Sequence, residues 1–468
     1  MESHKNNRFV VSQNENLGDV DITLKSMVFT YDTTLLLRVL MNILTIDTII
    51  NYCKIEWNKL PDCRKKSNNT QYSLEDTAMG AFSVFFFQFP SFLSHQVDLE
   101  RTKGNNNART LFRIEKIPTS TQIGNILDNV SPKNFHKDFY WLYQQLRTTH
   151  IWESFRCFQN TFLVPLDGVN YFSSENIHCQ NCSTRKDKTG EIHYYHTAIN
   201  AALVKPDSPH ILPLPPEFIC PQDGNEKQDC ERVAAKRWLK QHNPLFEPFS
   251  VTFLGDDLYD NQPLCEEIVD IYQQNFLLVC KQTTHVALYE ALAKKEAIGE
   301  TETLQLFKTE GKKTSHWIYR WSSNLPLRAG ADTKLVNWCE LTIICENTQK
   351  ILYANAWVTN HALTCDNIEA SVEAARARWK IENEGNNTLK TKGYHLAHNF
   401  GHGQNYLSSV LFILNVFAYL IHTILHLLDS FYIALRKELG SRETFFSDVR
   451  ALTLDFGFLD ISIRQFFA

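Results

Sequence analysis

The spacing of apolar residues changes period several times along this chain. Leu35 to Ile50 and Met79 to Phe92 carry helical apolar patterns joined by polar connections. Leu99 to Ala108, LERTKGNNNA, reads as a linker or loop by composition. In Ile117 to His150, Pro118 and Ser120 open a short helix, Asn129 to Pro132 break it, and a second apolar-periodic helix follows. Helix, turn and helix make either a DNA-reading unit or an ordinary packed pair. From Thr161 the pattern turns to strands: TFLVPLDGVNY, Ile192 to Val204, and the short HILPL run from His210. A helix is predicted over Asn225 to Gln241, a strand over Phe249 to Gly255, a helix near Cys265 to Gln273 and a strand over Phe276 to Cys280. Thr301 to Thr364 is again β-rich, and Ala370 to Glu384 is helical, with Ala374, Ala375, Ala377 and Ile381 on its apolar side.

Strands first paired by hairpins, then alternating with helices, predict an α/β fold with a mixed sheet. The expected layout is a mainly helical N-terminal region over 1–150, expected to bind DNA ends. A first part of the core follows over 151–300, then a β-rich insertion over 301–368. The rest of the core spans 369–440, and a C-terminal segment 441–468. No internal repeat points to a solenoid or propeller.

The net charge of −5 excludes a uniformly basic, histone-like protein but not a local DNA-binding face. The polar N-terminus, MESHKNNRFVVSQNEN, lacks the apolar stretch of an export signal, so the twelve Cys are expected as reduced thiols in the cytoplasm. Leu407 to Leu428 is long enough to span a membrane. Asn415, His422 and His426 interrupt it, and it is read as a buried core helix, with no membrane partner.

Three acids are placed for metal. Asp167 follows an apolar strand at PLDG, Asp256 follows FLG, and Glu382 lies late in a helix within RARWKIENE. Acids delivered at strand ends converge, and three carboxylates supply hard oxygen ligands while leaving room for water and phosphate. Taken alone, each acid reads more readily as a turn residue or part of a solvated helix face. Arg378 is four residues before Glu382, so the two share a helix face, as a phosphate clamp beside a metal ligand or as an ordinary ion pair. Between two strands, IHCQNCSTRKDKTGEIHYYH offers Cys179, Cys182, His193 and His196 as ligands for a structural Zn2+, with His178 as a substitute; the rival reading is a plain hairpin with free thiols. Trp317 and Trp321 flank Arg320 in the β-rich stretch, placed either to stack on a base or to fill a core. His398 and His402, in HNFGHG, either contact phosphate or line a turn.

The segments PLDGVNYFSS, LGDDLY and RARWKIENEGNNTLK, followed by GYHLAHNFGHG, resemble the DDE transposases of bacterial insertion sequences. The likeness is to the branch with a β-rich insertion before the catalytic glutamate, and it covers roughly residues 161–403. Two departures stand out: Ala375 occupies the place of a usual Tyr, and Lys390 follows Glu382 by eight residues instead of seven, leaving Lys392 as its competitor.

The resemblance implies a ribonuclease-H-like catalytic core in which Asp167, Asp256 and Glu382 bind two Mg2+ or Mn2+ ions. Asp257 and Glu384 are the weaker alternatives to Asp256 and Glu382. Arg378 and Lys390 would contact phosphate, and Trp321 would contact DNA. The implied activity is metal-dependent cleavage of transposon-end DNA and joining to target DNA, by a homodimer or larger assembly. The rivals are a nuclease of the same fold that never joins, and a transposase-derived DNA-binding protein without catalysis.

Overall fold

The computed structural model describes residues 44–65, 70–100, 102–221, 230–311 and 313–455. The described residues from Ile46 onward group into one compact unit. The helix expected from Leu35 begins, among the described residues, at Ile46, and residues 35–43 of that expectation lie outside them; so do residues 222–229 of the helix expected from Asn225, and residues 456–468 of the C-terminal segment.

Helices lead the compact unit. They are α1 (Ile46–Trp57), α2 (Leu74–Phe86), α3 (Phe92–Glu100), α4 (Thr102–Phe112), α5 (Ser120–Leu127), α6 (His136–Leu146) and the short α7 (His150–Ser154). Ser73 caps α2 and Thr119 caps α5, each side chain accepting from a backbone N–H in the first turn. The expected helix, turn and helix are α5 and α6, joined by a 3₁₀ turn over Pro132–Phe135. The stretch Leu99 to Ala108, expected as a loop, is instead helical on both sides of Arg101. Tertiary contact overrides its poor helix propensity: α4 packs on the C-terminal helix Arg442–Asp455, and buried Asn107 donates to the Thr453 carbonyl at 2.6 Å.

The sheet has eleven strands: β1 (Phe162–Ser174), β2 (Ser183–Lys186), β3 (Ile192–Leu203), β4 (Leu212–Pro213), β5 (Glu217–Ile219), β6 (Val251–Gly255), β7 (Asn275–Val279), β8 (Glu302–Glu310), β9 (Lys313–Pro326), β10 (Leu335–Cys345) and β11 (Ile351–Thr359). Their order is β2-β3-β1-β6-β7-β11-β10-β9-β8, with β4 and β5 also on β3. β1, β6 and β7 are mutually parallel in sequence, and β3 runs antiparallel to β1. The β-rich stretch is a meander whose last strand, β11, pairs antiparallel with β7, so it continues the core sheet edge to edge. The helices α8 (Glu231–His242), α9 (Gln262–Glu266) and α10 (Val286–Ala297) lie between strands in the chain.

After the sheet come α11 (Ile368–Arg376), a π-helical turn over Ile381–Asn386, and α12 (Asn387–Thr391). The single helix expected over Ala370 to Glu384 is therefore broken before Glu382. The long α13 (Leu407–Leu428) follows, then α14 (Ser430–Glu438) and α15 (Arg442–Asp455). α13 is long and apolar enough to cross a membrane, yet 89% of its most apolar window is buried inside the fold. Phe417 meets Phe82 of α2 and Phe139 of α6, while Phe412 stacks on Tyr171 of β1 at 4.6 Å. The helical layer and the sheet thus share one core helix, as its composition predicts.

The entry to α13 is held from a distance. Both carboxylate oxygens of Asp128, just past α5, accept hydrogen bonds from the backbone N–H groups of Gln404, Asn405, Tyr406 and Leu407. A carboxylate at a helix N-terminus satisfies donors that would otherwise be orphaned and complements the helix dipole. The approach requires Gly403, whose φ of +70° is left-handed and whose absent Cβ would collide with the Asp128 carboxylate. Asp128→Ala is expected to lower stability by about 2 kcal/mol, the upper end for a lost cap. Asp128→Asn should cost less, because one oxygen still accepts. Urea denaturation of both variants measures the difference, and equal stability of Asp128→Ala and wild type would refute the cap.

Candidate functional site

Parallel pairing positions the first two acids. Pro165 of β1 is level with Leu254 of β6 at the end of their parallel ladder, and Asp167 and Asp256 each lie two residues further on. Neighbouring strands lie about 4.8 Å apart, and equal parity sends both side chains to one face. Asp167 does not end its strand as expected. β1 runs on to Ser174 because β3 continues to pair with it after β6 has stopped. The useful boundary is the end of the parallel ladder, and Asp167 lies just beyond it.

Glu382 arrives from the π-helical turn, an element that recurs at functional sites because it re-aims side chains. Arg378 Nη1 donates to Glu382 Oε1 at 2.7 Å, as their spacing suggests. Arg378 is only 6% exposed and its guanidinium lies 4.6 Å from the ring of Trp379, which is 45% exposed. The turn is pinned from the core, where Tyr419 of α13 donates to the Glu384 carbonyl at 2.5 Å. Glu384 itself lines an open depression with Tyr353, Arg376, Trp379 and Lys380.

The acids converge electrostatically on Asp167. Burial, reinforced by the carboxylates of Glu382, Asp256 and Glu231 and opposed by Arg378, pushes the Asp167 carboxyl up to about 7. Glu231 is a fourth acid that the sequence reading did not single out. It opens α8, and burial together with Asp256 raises its carboxyl too. Gly168 makes room for it, since a Cβ there would lie 2.4 Å from Glu231 Oε1. The Tyr259 hydroxyl donates to Glu231 at 3.4 Å. Two amides complete the floor: Asn386 Nδ2 donates to Asp167 Oδ2 at 2.9 Å, and Asn200 Nδ2 donates to Asn386 Oδ1 at 2.7 Å. Asn386 is four residues past Glu382, a spacing visible in the sequence; Glu231 had no such local signal.

The other predicted residues are distributed differently. Trp321 is 1% exposed, paired in register with Cys339 within the sheet, and offers no ring face to a base. Aromatic residues of a central strand fill the space beside it, so the core reading of Trp321 holds. Arg320 is paired with Glu340 and Glu296. Trp317 is partly exposed and lies under Lys308 at 4.3 Å and Arg376 at 5.5 Å. Lys390 and Lys392 are both exposed at the end of α12. Asp257 turns to the loop after β7, accepting from Lys281 N and the Thr284 hydroxyl.

Among the described residues two groups bring three or more metal-ligating atoms within 4.8 Å of one another, and Asp167, Asp256 and Glu382 are not one of them. Cys179, Cys182, His196 and His402 bring one ligand atom each within 4.8 Å of one another. His193, expected in this set, is not part of it. Its Nε2 lies 3.4 Å from Asp187 Oδ2, because neighbours of odd separation on β3 face opposite ways. His402 takes its place. The second group is Asp260, Cys280 and His285, all buried, with His285 Nε2 3.0 Å from Asp260 Oδ2. All twelve Cys are free thiols.

Comparison with models of known protein families finds no match, and comparison with curated protein sequences finds none either.

The crowding at Asp167 sets a pH dependence. An unfolded Asp releases its proton near 3.9, and the folded one holds it to about 7, so folding stability falls as pH rises between those values. Asp167→Asn removes that loss while keeping an acceptor for Asn386. In metal-free buffer the variant should exceed wild type by on the order of 1–3 kcal/mol at pH 8, after allowance for solvent screening, and match it near pH 4. Thermal melts across this range measure the gap. A gap that does not widen with pH would show that Asp167 is not crowded.

Proposed function

We propose that this protein is a DDE-type transposase with a ribonuclease-H-like core, cutting and joining DNA with divalent metal. The observation that supports the reading is the electrostatic influence of Asp256 and Glu382 on Asp167, just past the end of the parallel β1-β6 ladder. Support comes from the strand order as well. A hairpin strand antiparallel to β1, with two parallel strands on its other side, is the arrangement expected of such a core.

Carboxylates crowded until one holds its proton to about 7 form a site poised for cations. Two Mg2+ or Mn2+ ions held by Asp167, Asp256 and Glu382 would offset the mutual repulsion. They would also supply an activated water or 3′-hydroxyl and stabilise the leaving oxygen. The protein's own part is positioning. Asn386 fixes the Asp167 carboxylate, and Arg378 holds Glu382 while itself being braced by Trp379. Glu231 adds negative charge beside Asp256 and so favours cation entry.

DNA would approach across the exposed aromatic and cationic side chains beside the Glu382 turn. Trp379, Trp317 and Arg376 supply ring faces and charge there, with Lys390 on the exposed end of α12. A base stacked on an exposed aromatic ring contributes about 1–3 kcal/mol without sequence preference. The partners are transposon-end and target DNA, engaged by a homodimer or higher assembly in the cytoplasm.

Asp167→Ala, Asp256→Ala and Glu382→Ala are each expected to reduce Mg2+-dependent cleavage of end-bearing duplexes by at least about 100-fold, because changes to outer-shell partners alone cost about 10–100-fold. DNA binding in Ca2+ should survive. Strand-transfer assays on the same duplexes separate a transposase from a nuclease: cleavage without joining in wild type would favour the latter. A variant cutting near the wild-type rate would remove its residue from the metal site.

Arg378→Ala is expected to lower cleavage more than Lys390→Ala does, since only Arg378 touches Glu382. Arg378→Lys should recover little, because a lysine keeps the charge but not the planar fork braced on Trp379. Single-turnover cleavage by the three variants gives the ordering, and a larger effect at Lys390 would reverse it.

A further inference from the structure

We propose that Cys179, Cys182, His196 and His402 bind one structural Zn2+ that fastens the β2-β3 hairpin to the loop leading into α13. The inference rests on ligand geometry alone and does not depend on the DNA-processing reading.

The distances have the shape of a tetrahedral site. With Zn–S near 2.3 Å and Zn–N near 2.0–2.1 Å, the ligand–ligand edges should be about 3.8 Å for S–S, about 3.5 Å for S–N and about 3.3 Å for N–N. Here Cys179 Sγ and Cys182 Sγ are 3.9 Å apart. His196 Nε2 is 3.6 Å from Cys179 Sγ and 3.4 Å from Cys182 Sγ. His402 Nε2 is 3.4 Å from Cys182 Sγ and 3.0 Å from His196 Nε2. Two soft thiolates and two imidazoles are a preferred zinc set, and no carboxylate belongs to the group.

The surroundings orient these atoms. His402 Nδ1 donates to the Gly403 carbonyl at 2.8 Å, which leaves its Nε2 lone pair free to ligate. His196 is held by packing, its ring stacked near that of Tyr171 at 5.6 Å and against Phe172. The Cys179 backbone N–H points at Cys182 Sγ at 3.4 Å, an arrangement that favours the thiolate over the thiol. Cys182, His196 and His402 are buried and Cys179 partly so, so without an ion four polar atoms would face one another with little access to water.

The position explains what the ion would do. Residues 179–196 and residue 402 are more than two hundred positions apart in the chain, and the loop carrying His402 also presents its backbone to Asp128. Asn181 Nδ2 donates to the Asn405 carbonyl beside it, at 2.7 Å. His196 lies four residues before Asn200 on β3, so the ion would sit roughly 13 Å from the Asp167 site along the strand. A thiolate-held ion at that distance braces β3, the strand paired with the Asp167-bearing β1, without sharing the ligands of the acidic site.

The test uses the full-length protein purified without chelator from zinc-containing medium. Metal analysis should find about one zinc per chain. Co2+ exchanged into the wild-type protein should give thiolate charge-transfer and tetrahedral d–d absorption. Cys182→Ser and His402→Ala should lose the zinc and melt at lower temperature, whereas His193→Ala should keep both zinc and melting temperature. If the ligand variants do not fold, the wild-type zinc content and Co2+ spectrum still decide. Folded wild-type protein without zinc, a Cys179–Cys182 disulfide in its place, or zinc lost from His193→Ala but kept in His402→Ala would overturn the proposal.

Discussion

A helix that is apolar on every side must be covered on every side, and α13 imposes that requirement on the whole unit. The helical layer covers one flank through Phe82 and Phe139, and β1 covers the other through Tyr171. Its few polar side chains are spent on connections: Asn415 donates to the Tyr394 carbonyl, Tyr419 to the Glu384 carbonyl, and Ser409 meets Tyr171. Because a buried polar atom without a partner is costly, each of these bonds also fixes where its partner lies. The Glu382 turn is therefore located by the core helix as much as by its own residues.

The acidic site works against that compactness. Four carboxylates near one another raise the energy of the folded state, and burial makes the repulsion stronger than water would allow. Arg378 opposes that repulsion at Asp167, and it is already engaged with Glu382. Local backbone features serve the same crowded arrangement. Gly168 allows Glu231 to approach β1, and the π-helical turn carries Glu382 and Asn386 toward Asp167. A fold that holds such a cluster in place has spent stability on it, which is the usual signature of a site maintained for chemistry rather than for packing.

Local pattern made much of this legible in the sequence. The alternation around β3, the apolar runs of β6 and β7, and the charge-free length of α13 each report their own environment, because burial on one or both faces dictates residue type directly. Asp167 and Asp256 stood out for the same reason, each following an apolar run, whereas Glu382 was singled out within the charged segment RARWKIENE. What stayed hidden required knowing which distant segments meet. Glu231 belongs to a charged helix start with no apolar frame, and only the pairing of β1 with β3 and β6 brings it beside Asp167. His402 lies 220 positions from Cys182, so the contiguous spacing favoured His193, and strand parity alone could not choose the replacement. Trp321 failed for a related reason: an aromatic residue next to Arg looks the same in sequence whether its ring faces solvent or the sheet interior.

The two proposed ligand sets also differ in a way that keeps them apart. Oxygen donors at Asp167, Asp256 and Glu382 suit hard ions that exchange readily and retain water, whereas sulfur and imidazole at the hairpin suit a soft, slowly exchanging ion. Placing them at opposite ends of the β1-β3 pairing allows one chain to hold both without competition, since neither set contains a ligand the other ion prefers. It also divides the labour along a single pair of strands. The hairpin end is tied to the loop before α13, and the far end is left half-buried and open, where Asp167 is braced by Asn386 but not enclosed. Rigidity at one end of a strand pair limits how far the other can drift, and a metal-dependent site needs its ligands held to within about half an ångström.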